Sequence, residues 1–332
     1  MPDPPAAEDA ASPAAPAAPA SDLAAIAAIP TRPLADALAM IDQRFDTAEM
    51  LDRSVGIDQV ADYYRQSDRG YRLFHSREGA LHIALDCDGH RDASGYPRQA
   101  EIFTEHLDAI GARRAIELGC GMGYNTRWLA ACQPRRRFVG LDLTEPHIRY
   151  ARQHAAGLAN AEFRRGNYES LPDADASYDA ALAVETLCQT PSLGRALREA
   201  CRVLRPGGRL VVVDCFRRAP LDRYDAPTQR AARLVEKATA VDAFAVVDDW
   251  IATAAGVGLQ LVEARDLSGR TRQNLARLHG LASRFFGLPL AARAMTRAFP
   301  AKLLENSVCG LLMPYTVGGG AHTYQAITVE KR

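Results

Sequence analysis

The stretch Ala115-Ile116-Glu117-Leu118-Gly119-Cys120-Gly121-Met122-Gly123 decides the fold of this chain. Its first four residues form a short, mainly apolar run that is typical of a buried parallel strand. The three glycines that follow allow the backbone to turn tightly and to approach a ligand, because no Cβ atom stands in the way. The stretch therefore predicts a strand that ends in a ligand-binding loop.

The segments after this loop extend the pattern. A helix predicted from Tyr124 to Cys132 would present the positive end of its dipole to the ligand. The next predicted strand, from Phe138 to Leu141, ends in Asp142, about 20 residues beyond the glycines. A carboxylate at that position can accept hydrogen bonds from both ribose hydroxyls. Strand, loop, helix, strand and acid together predict a site for an adenosine-bearing cofactor.

Details of the loop separate two families that share this layout. A dehydrogenase loop has the pattern G-x-G-x-x-G, whereas here the third glycine comes one residue early and Glu117 lies just before the loop. This arrangement resembles motif I of the class I S-adenosylmethionine-dependent methyltransferases, E/D-x-G-x-G-x-G. The run from Arg202 to Leu210 resembles the helix, Pro-Gly-Gly turn and fifth strand of that family. The resemblance spans about Ile102 to Asp214 and implies S-adenosylmethionine as cofactor, with a dehydrogenase or a non-catalytic cofactor binder as alternatives.

The order of the predicted elements gives the fold class. Strands alternate with helices, which predicts an α/β protein with a mostly parallel sheet and helices on both faces. The resemblance implies a Rossmann-like sheet of seven strands, extended by helical N-terminal and cap elements. It also implies a last strand that is antiparallel and lies at the sheet edge. The five further strands are predicted at residues 161–165, 178–184, 210–216, 258–264 and 323–329.

The resemblance implies which residues bind the cofactor. They lie in the glycine loop and directly after the second, third and fourth strands: Glu117, Gly119, Cys120, Gly121, Gly123, Asp142, Leu143, Asn167, Tyr168 and Glu185. Many relatives have an acid at the position of Asn167, where it accepts a hydrogen bond from the adenine amino group. Here the amide oxygen of Asn167 would have to do so, unless the residue only caps its loop.

The segment that follows the fourth strand contains a candidate catalytic residue. Glu185-Thr186-Leu187-Cys188-Gln189-Thr190-Pro191 resembles the E-A-T-C-H-A-P segment of sterol C-methyltransferases, with Gln189 in place of the histidine. The segment would lie at the carboxyl edge of the sheet, where open α/β sheets bind ligands. A carboxylate with a purely structural role is costly at the end of a buried strand. We therefore expect Glu185 to be catalytic as well as cofactor-binding.

Aromatic residues and histidines concentrate just before the cofactor domain: Tyr63, Tyr64, Tyr71, Phe74, His75 and His82. Their order resembles the substrate region of methyltransferases that act on sterols, tocopherols and isoprenoids. The resemblance implies catalytic roles for Tyr63, Tyr64 and His82. Each residue also has a structural interpretation, since the two tyrosines can seal a core edge and His82 can be a hydrogen-bonded core histidine. His75 is predicted to lie at the surface.

The roles of these residues depend on the methyl acceptor. An oxygen or nitrogen acceptor must lose a proton, which His82 could take. An alkene carbon instead generates a carbocation, which aromatic faces could stabilise while Glu185 balances its charge or takes the final proton. The resemblance favours C-methylation of a lipophilic isoprenoid, terpenoid or sterol-like acceptor. The alternative is an O- or N-methyltransferase of a natural-product or quinone pathway.

The chain divides into three parts in this interpretation. Residues 1–30 are rich in Ala and Pro and are predicted to be disordered. Residues 31–100 form a helical substrate or lid region. Residues 101–332 form the methyltransferase domain, with helical cap insertions near residues 217–245 and 270–314. The second cap either roofs a pocket for a lipophilic acceptor or packs in a homodimer interface.

The amino-acid composition limits the binding partners and the cellular compartment that we expect for this protein. The 332 residues include 40 Lys plus Arg and 40 Asp plus Glu, so no basic excess is available to bind nucleic acid. We expect no membrane span and no signal peptide, because the apolar N-terminal segment is short and acidic residues precede it. The seven cysteines show no metal-ligand spacing, which fits a reduced cytoplasm. Residues 86–92 are rich in Asp, but Asp and Gly are also usual in turns, and we expect no metal.

Overall fold

A computed structural model describes residues 19–71, 75–86, 95–288 and 299–332. Two features that the sequence singles out, Phe74 and most of the Asp-rich segment, lie outside the described residues. So does part of the second predicted cap.

Seven strands form one sheet, which confirms the predicted Rossmann-like α/β fold. The strands are β1 Arg114–Leu118, β2 Arg137–Asp142, β3 Ala161–Arg165, β4 Tyr178–Val184, β5 Leu204–Arg217, β6 Leu259–Asp266 and β7 His322–Lys331. Their spatial order is β3-β2-β1-β4-β5-β7-β6. The first five strands pair in parallel, and β7 runs antiparallel to both of its neighbours.

The last strand is antiparallel, as predicted, but its predicted position at the sheet edge is wrong. It lies between β5 and β6, and β6 is the edge strand. Residues 322–329 are all buried, with Tyr324 and Ala326 packed on one face of the sheet and Ile327 and Val329 on the other. A strand that is buried on both faces needs hydrogen-bonding partners along both of its edges. The strands β5 and β6 on either side of β7 supply these partners.

The fifth strand is longer than predicted. It begins at Leu204 rather than Leu210, so the Pro-Gly-Gly segment is part of the strand. The register between β4 and β5 shifts at this point. Gly208 approaches the carbonyl oxygen of Asp179 so closely that a Cβ atom would lie 2.9 Å from it. The glycines therefore form an irregular start to β5.

Helices cover both faces of the sheet and form a separate layer above its carboxyl edge. Within the described residues they are α1 Ala20–Ala27, α2 Leu34–Asp42, α3 Thr47–Asp52, α4 Ile57–Gly70, α5 Arg98–Ala109, α6 Tyr124–Cys132, α7 Glu145–His154, α8 Leu193–Val203, α9 Ala226–Ala238, α10 Val247–Gly256, α11 Arg272–Gly287 and α12 Ala301–Gly318. Not one of these helices is both long enough and apolar enough to cross a membrane.

The predicted disorder of residues 1–30 is wrong for the last third of that segment. Residues Ala20–Ala27 form α1, and Ile26 is fully buried. Gly318 of α12 lies so close to Ala27 that an added Cβ atom would be 2.5 Å from the backbone nitrogen of Ala27. A segment rich in Ala has too few varied side chains for a core of its own, but Ala has the highest helix propensity. Packing against α12 supplies the apolar contact that the segment lacks.

The hydrophobic core has three main parts. One part packs α8 and α10 on one face of the sheet, and a second packs α5 and α6 on the other face. The third part is mainly helical and joins α1 and α2 to α9, α11 and α12. The helical N-terminal region and the two predicted caps therefore form one layer. Cys188 and Cys215, which lie just after β4 and within the end of β5, pack against this layer and connect it to the sheet.

Candidate active site

A cleft opens where β1, β2 and β4 end. Nine of the ten predicted cofactor residues line it: Glu117, Gly119, Cys120, Gly121, Asp142, Leu143, Asn167, Tyr168 and Glu185. Gly123 is the exception: it directly precedes α6 with a φ of +76° and packs against Phe163 and Ala151. The structure thus gives Gly123 a packing role behind the loop, and its contact with the cofactor stays a prediction.

The glycine loop adopts the conformation that its sequence predicts. Gly119 and Gly121 have φ values of +72° and +52°, which residues with a Cβ atom rarely adopt. The amide groups of Gly119 and Cys120 both donate hydrogen bonds to the carbonyl oxygen of Leu141, at 2.8 and 2.9 Å. The loop is thus fixed to the end of β2.

Asp142, for which the sequence predicts the ribose contact, lies at the end of β2. Its Oδ2 accepts a 2.9 Å hydrogen bond from the amide of Gly121, and its Oδ1 accepts a 2.8 Å bond from the amide of Thr144. The imidazole of His147 lies 3.6 Å from Oδ1. These bonds hold the carboxylate at the cleft wall and join the ends of β1 and β2.

Glu117 is buried beneath the cleft and binds the first turn of α6. Its carboxylate accepts hydrogen bonds from the side chain of Asn125 at 2.9 Å and from the amide of Thr126 at 3.0 Å. Burial raises the pKa of Glu117 to about 7. Both carboxylate oxygens are therefore occupied by α6, and Glu117 fixes the helix relative to the loop. Oδ1 of Asn125 is itself buried without a partner among the described residues.

The loop after β3 supports a structural role for Asn167. The amide oxygen of Asn167 accepts a 2.9 Å hydrogen bond from the amide of Glu169, so this residue caps its own loop. The oxygen has a second lone pair, so a contact with the adenine amino group stays a prediction. Tyr168 lines the cleft beside it, and its hydroxyl donates a 3.3 Å hydrogen bond to the carbonyl of Thr186.

Glu185 begins the loop after β4 with a φ of +49°, a strained conformation for a residue with a side chain. Its Oε1 accepts hydrogen bonds from the amide of Ile83 at 2.7 Å and from the hydroxyl of Tyr324 at 2.8 Å. Burial raises the pKa of Glu185 to about 7, although these two bonds lower it. A carboxyl group with such a pKa can gain and lose a proton near neutral pH.

A second cavity lies on the other side of Glu185. Its volume is about 460 Å³, and its wall is mainly apolar and includes side chains of α9, α11 and α12. Tyr63, Tyr64 and Tyr71 also line it. Four residues line both this cavity and the cofactor cleft: Tyr64, Leu81, Glu185 and Gln189. We call this larger space the acceptor cavity and these four residues its boundary.

Gln189 holds the boundary together. The hydroxyl of Tyr64 donates a 3.1 Å hydrogen bond to Oε1 of Gln189, and Nε2 of Gln189 donates a 2.9 Å bond to the carbonyl of Thr239. The amide side chain thus connects α4 to the residue that follows α9. An amide suits this position because it can accept and donate at the same time.

The structure places His82 in one of its two predicted environments and moves His75 away from its predicted one. His82 lines the cofactor cleft and is absent from the wall of the acceptor cavity. Its Nε2–H donates a 2.9 Å hydrogen bond to the carbonyl of Tyr96, and burial lowers the pKa of His82 to about 4. These observations favour a hydrogen-bonded core histidine over a general base. His75, predicted at the surface, lines the acceptor cavity and donates a 2.7 Å bond to the carbonyl of His82.

Tyr324 and Gln99 are two site residues that were not predicted from the sequence. Tyr324 of β7 reaches Glu185, and the side-chain amide of Gln99 donates a 3.2 Å bond to the Tyr324 hydroxyl. No local pattern marks either residue, because each partner is more than one hundred positions away along the chain. In the described part of the chain no cluster of three or more His, Cys, Asp or Glu residues could hold a metal ion.

Asp214 is a third missed residue. It is 1% exposed and accepts hydrogen bonds from the amides of Thr186 at 3.2 Å, Cys188 at 3.0 Å and Cys215 at 2.8 Å. These bonds shape the loop that carries Glu185. A carboxylate directly after the apolar run Val211–Val213 is a signal that could have found it.

Comparison with known proteins identifies the class. The family model described as a methyltransferase domain matches residues 116–212. The methyltransferase GfsG of Streptomyces halstedii is 32% identical over 220 residues, which cover 64% of this chain and 77% of that protein. The 24-methylenesterol C-methyltransferase 2 of Oryza sativa subsp. japonica is 32% identical over 183 residues, covering 54% of this chain and 49% of the plant protein.

Solved structures agree on the fold. The [4+2]-cyclase SpnF aligns with a TM-score of 0.65 and 21% identity, covering 84% of this chain and 97% of that one. The geranyl diphosphate C-methyltransferase of Streptomyces coelicolor A3(2), solved with S-adenosyl-L-homocysteine, aligns with a TM-score of 0.59 and 17% identity, covering 83% and 97%. The chain belongs to the class I S-adenosylmethionine-dependent methyltransferases.

S-adenosylmethionine is therefore the cofactor, and the cleft fits it. Asp142 lines the cleft at the level of the glycine loop, and a carboxylate there suits the hydroxyl groups of a ribose. Asn125 also lines the cleft, and the buried Oδ1 that has no partner among the described residues is an acceptor suited to the ammonium group of the methionine part.

Proposed function

We propose that this methyltransferase acts on a lipophilic small molecule and methylates a carbon atom of an isoprenoid, terpenoid or sterol-like acceptor. The observation that carries the proposal is the position of Glu185 between the cofactor cleft and the acceptor cavity. A wall of Leu, Phe and Met side chains takes up an apolar molecule with little loss of solvation energy. The sequence likeness to a sterol C-methyltransferase supports the same class of acceptor.

The boundary residues would align the two reactants. When bound, S-adenosylmethionine supplies an activated methyl group on its sulfonium. Because such a displacement is in-line, the chain's main task is to hold the acceptor carbon opposite that group and to exclude water. Tyr64 and Leu81 close the boundary, and the bond from Tyr64 to Gln189 fixes the ring. We propose that acceptor and methyl donor meet at these residues.

The aromatic cluster suits the charge that the reaction creates. Attack by an alkene on the methyl group would use the π electrons to form the new carbon–carbon bond as the methyl–sulfur bond breaks; S-adenosylhomocysteine would leave, with a cation on the neighbouring carbon. The rings of Tyr63 and Tyr64 lie 5.1 Å apart, and the ring of Tyr71 lies 6.4 Å from that of Tyr64. Aromatic faces attract a cation, most strongly where water is excluded.

Glu185 would complete the reaction. Its ionised carboxylate stabilises the cation and takes the proton that the acceptor loses when the double bond forms again. The fixed bonds of Oε1 to Ile83 and Tyr324 orient the group for this task. The raised pKa of Glu185 makes the carboxylate a stronger base than an exposed one.

The same raised pKa favours one second candidate. A base with a pKa of about 7 can also remove the proton of a hydroxyl group, so O-methylation of a lipophilic acceptor is the alternative. His82 does not support that alternative, since it lies on the cofactor side of the boundary.

Labelled methyl transfer tests the acceptor class. Purified protein is incubated with trideuteromethyl-labelled S-adenosylmethionine and either lipophilic acceptors (geraniol, farnesol, geranylgeraniol, cholesterol) or polar acceptors (glycine, catechol), and the products are analysed by mass spectrometry. We expect the label in a lipophilic product, and less of it with Asp142→Ala at a cofactor concentration that does not saturate the variant. Label in the polar acceptors alone would contradict the proposal.

A further inference from the structure

A polar cluster interrupts the apolar wall of the acceptor cavity. It consists of Ser67 and Tyr63 in α4, Tyr71 just after that helix, and Asn306 in α12. Tyr63, Tyr71 and Asn306 line the cavity, and Ser67 is fully buried behind them. Buried polar groups of this kind cost free energy unless they are paired, so the way in which they pair is informative.

The hydrogen bonds of this cluster run in one direction. Nδ2 of Asn306 donates a 3.3 Å bond to the hydroxyl of Ser67, which turns Oδ1 of Asn306 towards Tyr63. Tyr63 donates its single hydroxyl proton to that Oδ1 at 2.6 Å. The 2.7 Å bond between the hydroxyls of Tyr63 and Tyr71 must then be donated by Tyr71.

This direction leaves Tyr71 as an acceptor. Its proton is used in the bond to Tyr63, and within the described residues its hydroxyl has no other hydrogen-bond partner. The lone pairs of Tyr71 therefore remain for a group that donates a hydrogen bond. A ketone, aldehyde or ether can only accept and does not match.

The charged residues in the wall of the acceptor cavity limit which molecules can donate this hydrogen bond. The carboxyl groups of Glu185 and Asp214 both line the cavity, whereas Arg284 lines it from an exposed position at the rim. An anionic group placed beside Tyr71 would be repelled by the two acidic groups. The donor that Tyr71 accepts from is thus not part of an anionic group.

We infer that the acceptor cavity recognises a neutral lipophilic alcohol, whose hydroxyl group donates a hydrogen bond to Tyr71. This inference rests on the proposed function, because it names the substrate class of the same cavity. The ring of Tyr71 lies 6.4 Å from that of Tyr64, which is a boundary residue. The hydroxyl is therefore held close to the methylated carbon and fixes which carbon faces the methyl donor.

A set of matched probes tests the inference by titration calorimetry in the presence of S-adenosylhomocysteine. Farnesol can donate a hydrogen bond, whereas farnesyl methyl ether and farnesal can only accept one. We expect the wild-type protein to bind farnesol about tenfold more tightly than either analogue. Tyr71→Phe should remove this preference and leave the affinity for the ether unchanged.

Two further variants test the direction of the bonds. Tyr63→Phe removes the acceptor for the Tyr71 proton, so Tyr71 can donate into the cavity and farnesal should gain affinity relative to farnesol. Asn306→Asp keeps an acceptor for Tyr63 and should keep the preference for farnesol. Unchanged melting temperature and affinity for S-adenosylhomocysteine show that each variant is folded.

The outcomes separate this inference from the proposed function. Equal binding of the three probes by the wild-type protein, or a preference for farnesol that survives in Tyr71→Phe, overturns the inference and leaves a lipophilic acceptor in place. Failure of all three probes to bind contradicts the proposed function, and the inference falls with it.

Discussion

The hydroxyl of Tyr324 donates a 2.8 Å hydrogen bond to Oε1 of Glu185 and thereby joins β7 to the loop that follows β4. Gln99 of α5 donates to the same hydroxyl at 3.2 Å, so α5 supports the contact from behind. Burial raises the pKa of Glu185, and the bonds from Ile83 and Tyr324 oppose that rise. The position of β7 beside β5 is what brings Tyr324 to Glu185.

Replacing Glu185 with Gln should abolish most turnover while sparing the cofactor. The amide keeps the shape of the side chain but cannot take a proton, so we expect kcat to fall about 100- to 10,000-fold. The affinity for S-adenosylhomocysteine, measured by calorimetry, should change little. Full activity in this variant would return Glu185 to a structural role.

The pH dependence of the wild-type enzyme should report the ionisation of Glu185. Glu185 acts in its ionised form, and its pKa is about 7 in the folded protein. The value of kcat/KM at saturating cofactor should therefore be low below pH 7, rise through about pH 7 and level off above it. The residual activity of Glu185→Gln should lack this limb. A limb that persists unchanged in the variant would assign the titration to another group, such as Glu117.

Replacing Tyr324 with Phe should move that limb to higher pH. The Tyr324 hydroxyl lowers the pKa of Glu185 by donating to its carboxylate, so its loss raises the pKa. Gln99→Leu serves as a matched control, since it removes the support of Tyr324 without removing the hydroxyl itself. A limb at the same pH in Tyr324→Phe would show that the bond does not tune Glu185.

Replacing Asp142 with Ala should weaken the binding of S-adenosylhomocysteine by about 1 to 3 kcal/mol. The variant loses the carboxylate for the ribose and also the bonds that hold Gly121 and Thr144. Asp142→Asn keeps one acceptor oxygen and should show a smaller loss. Calorimetry that gives the wild-type affinity for the Ala variant would exclude the ribose assignment.

Replacing Gly119 with Ala should damage the cofactor loop beyond the backbone strain alone. The new Cβ atom would contact Oγ1 of Thr186 and lie 2.8 Å from its Cγ2 and 3.1 Å from its Cβ, and a short branched side chain cannot easily move away. Gly111→Ala is the control, because Gly111 also has a positive φ, of +59°, but has open space around it. We expect the control to lose about 1 kcal/mol of unfolding free energy and to keep its cofactor affinity. Equal losses in both variants would mean that the contact with Thr186 is tolerated.

The central strands and the cofactor loop could be predicted from the sequence because their signals are local. The apolar run before Gly119 and the acid at Asp142 report burial and ligand approach within about 30 residues, the size of one strand-helix-strand unit. The structure confirms the fold that this pattern predicts. The place of β7 could not be predicted in the same way, because nothing within a strand records which strands it will lie between.

The acceptor side of the site was less accessible to sequence reasoning. His82 and His75 are seven positions apart in a segment without regular periodicity. The sequence therefore does not indicate that His82 lines the cofactor cleft and His75 the acceptor cavity. Tyr324 and Asn306 lie far along the chain from their partners Glu185 and Tyr63. Only packing of the helical layer onto the sheet brings these residues together.

The most direct test of the account is the position of the transferred methyl group. The product formed from farnesol and ¹³C-methyl-labelled S-adenosylmethionine can be isolated and examined by NMR. The account predicts a methyl group bonded to carbon and a hydroxyl group that is still free. A methoxy group at the former hydroxyl would contradict it and would make Glu185 the base of an O-methyltransferase.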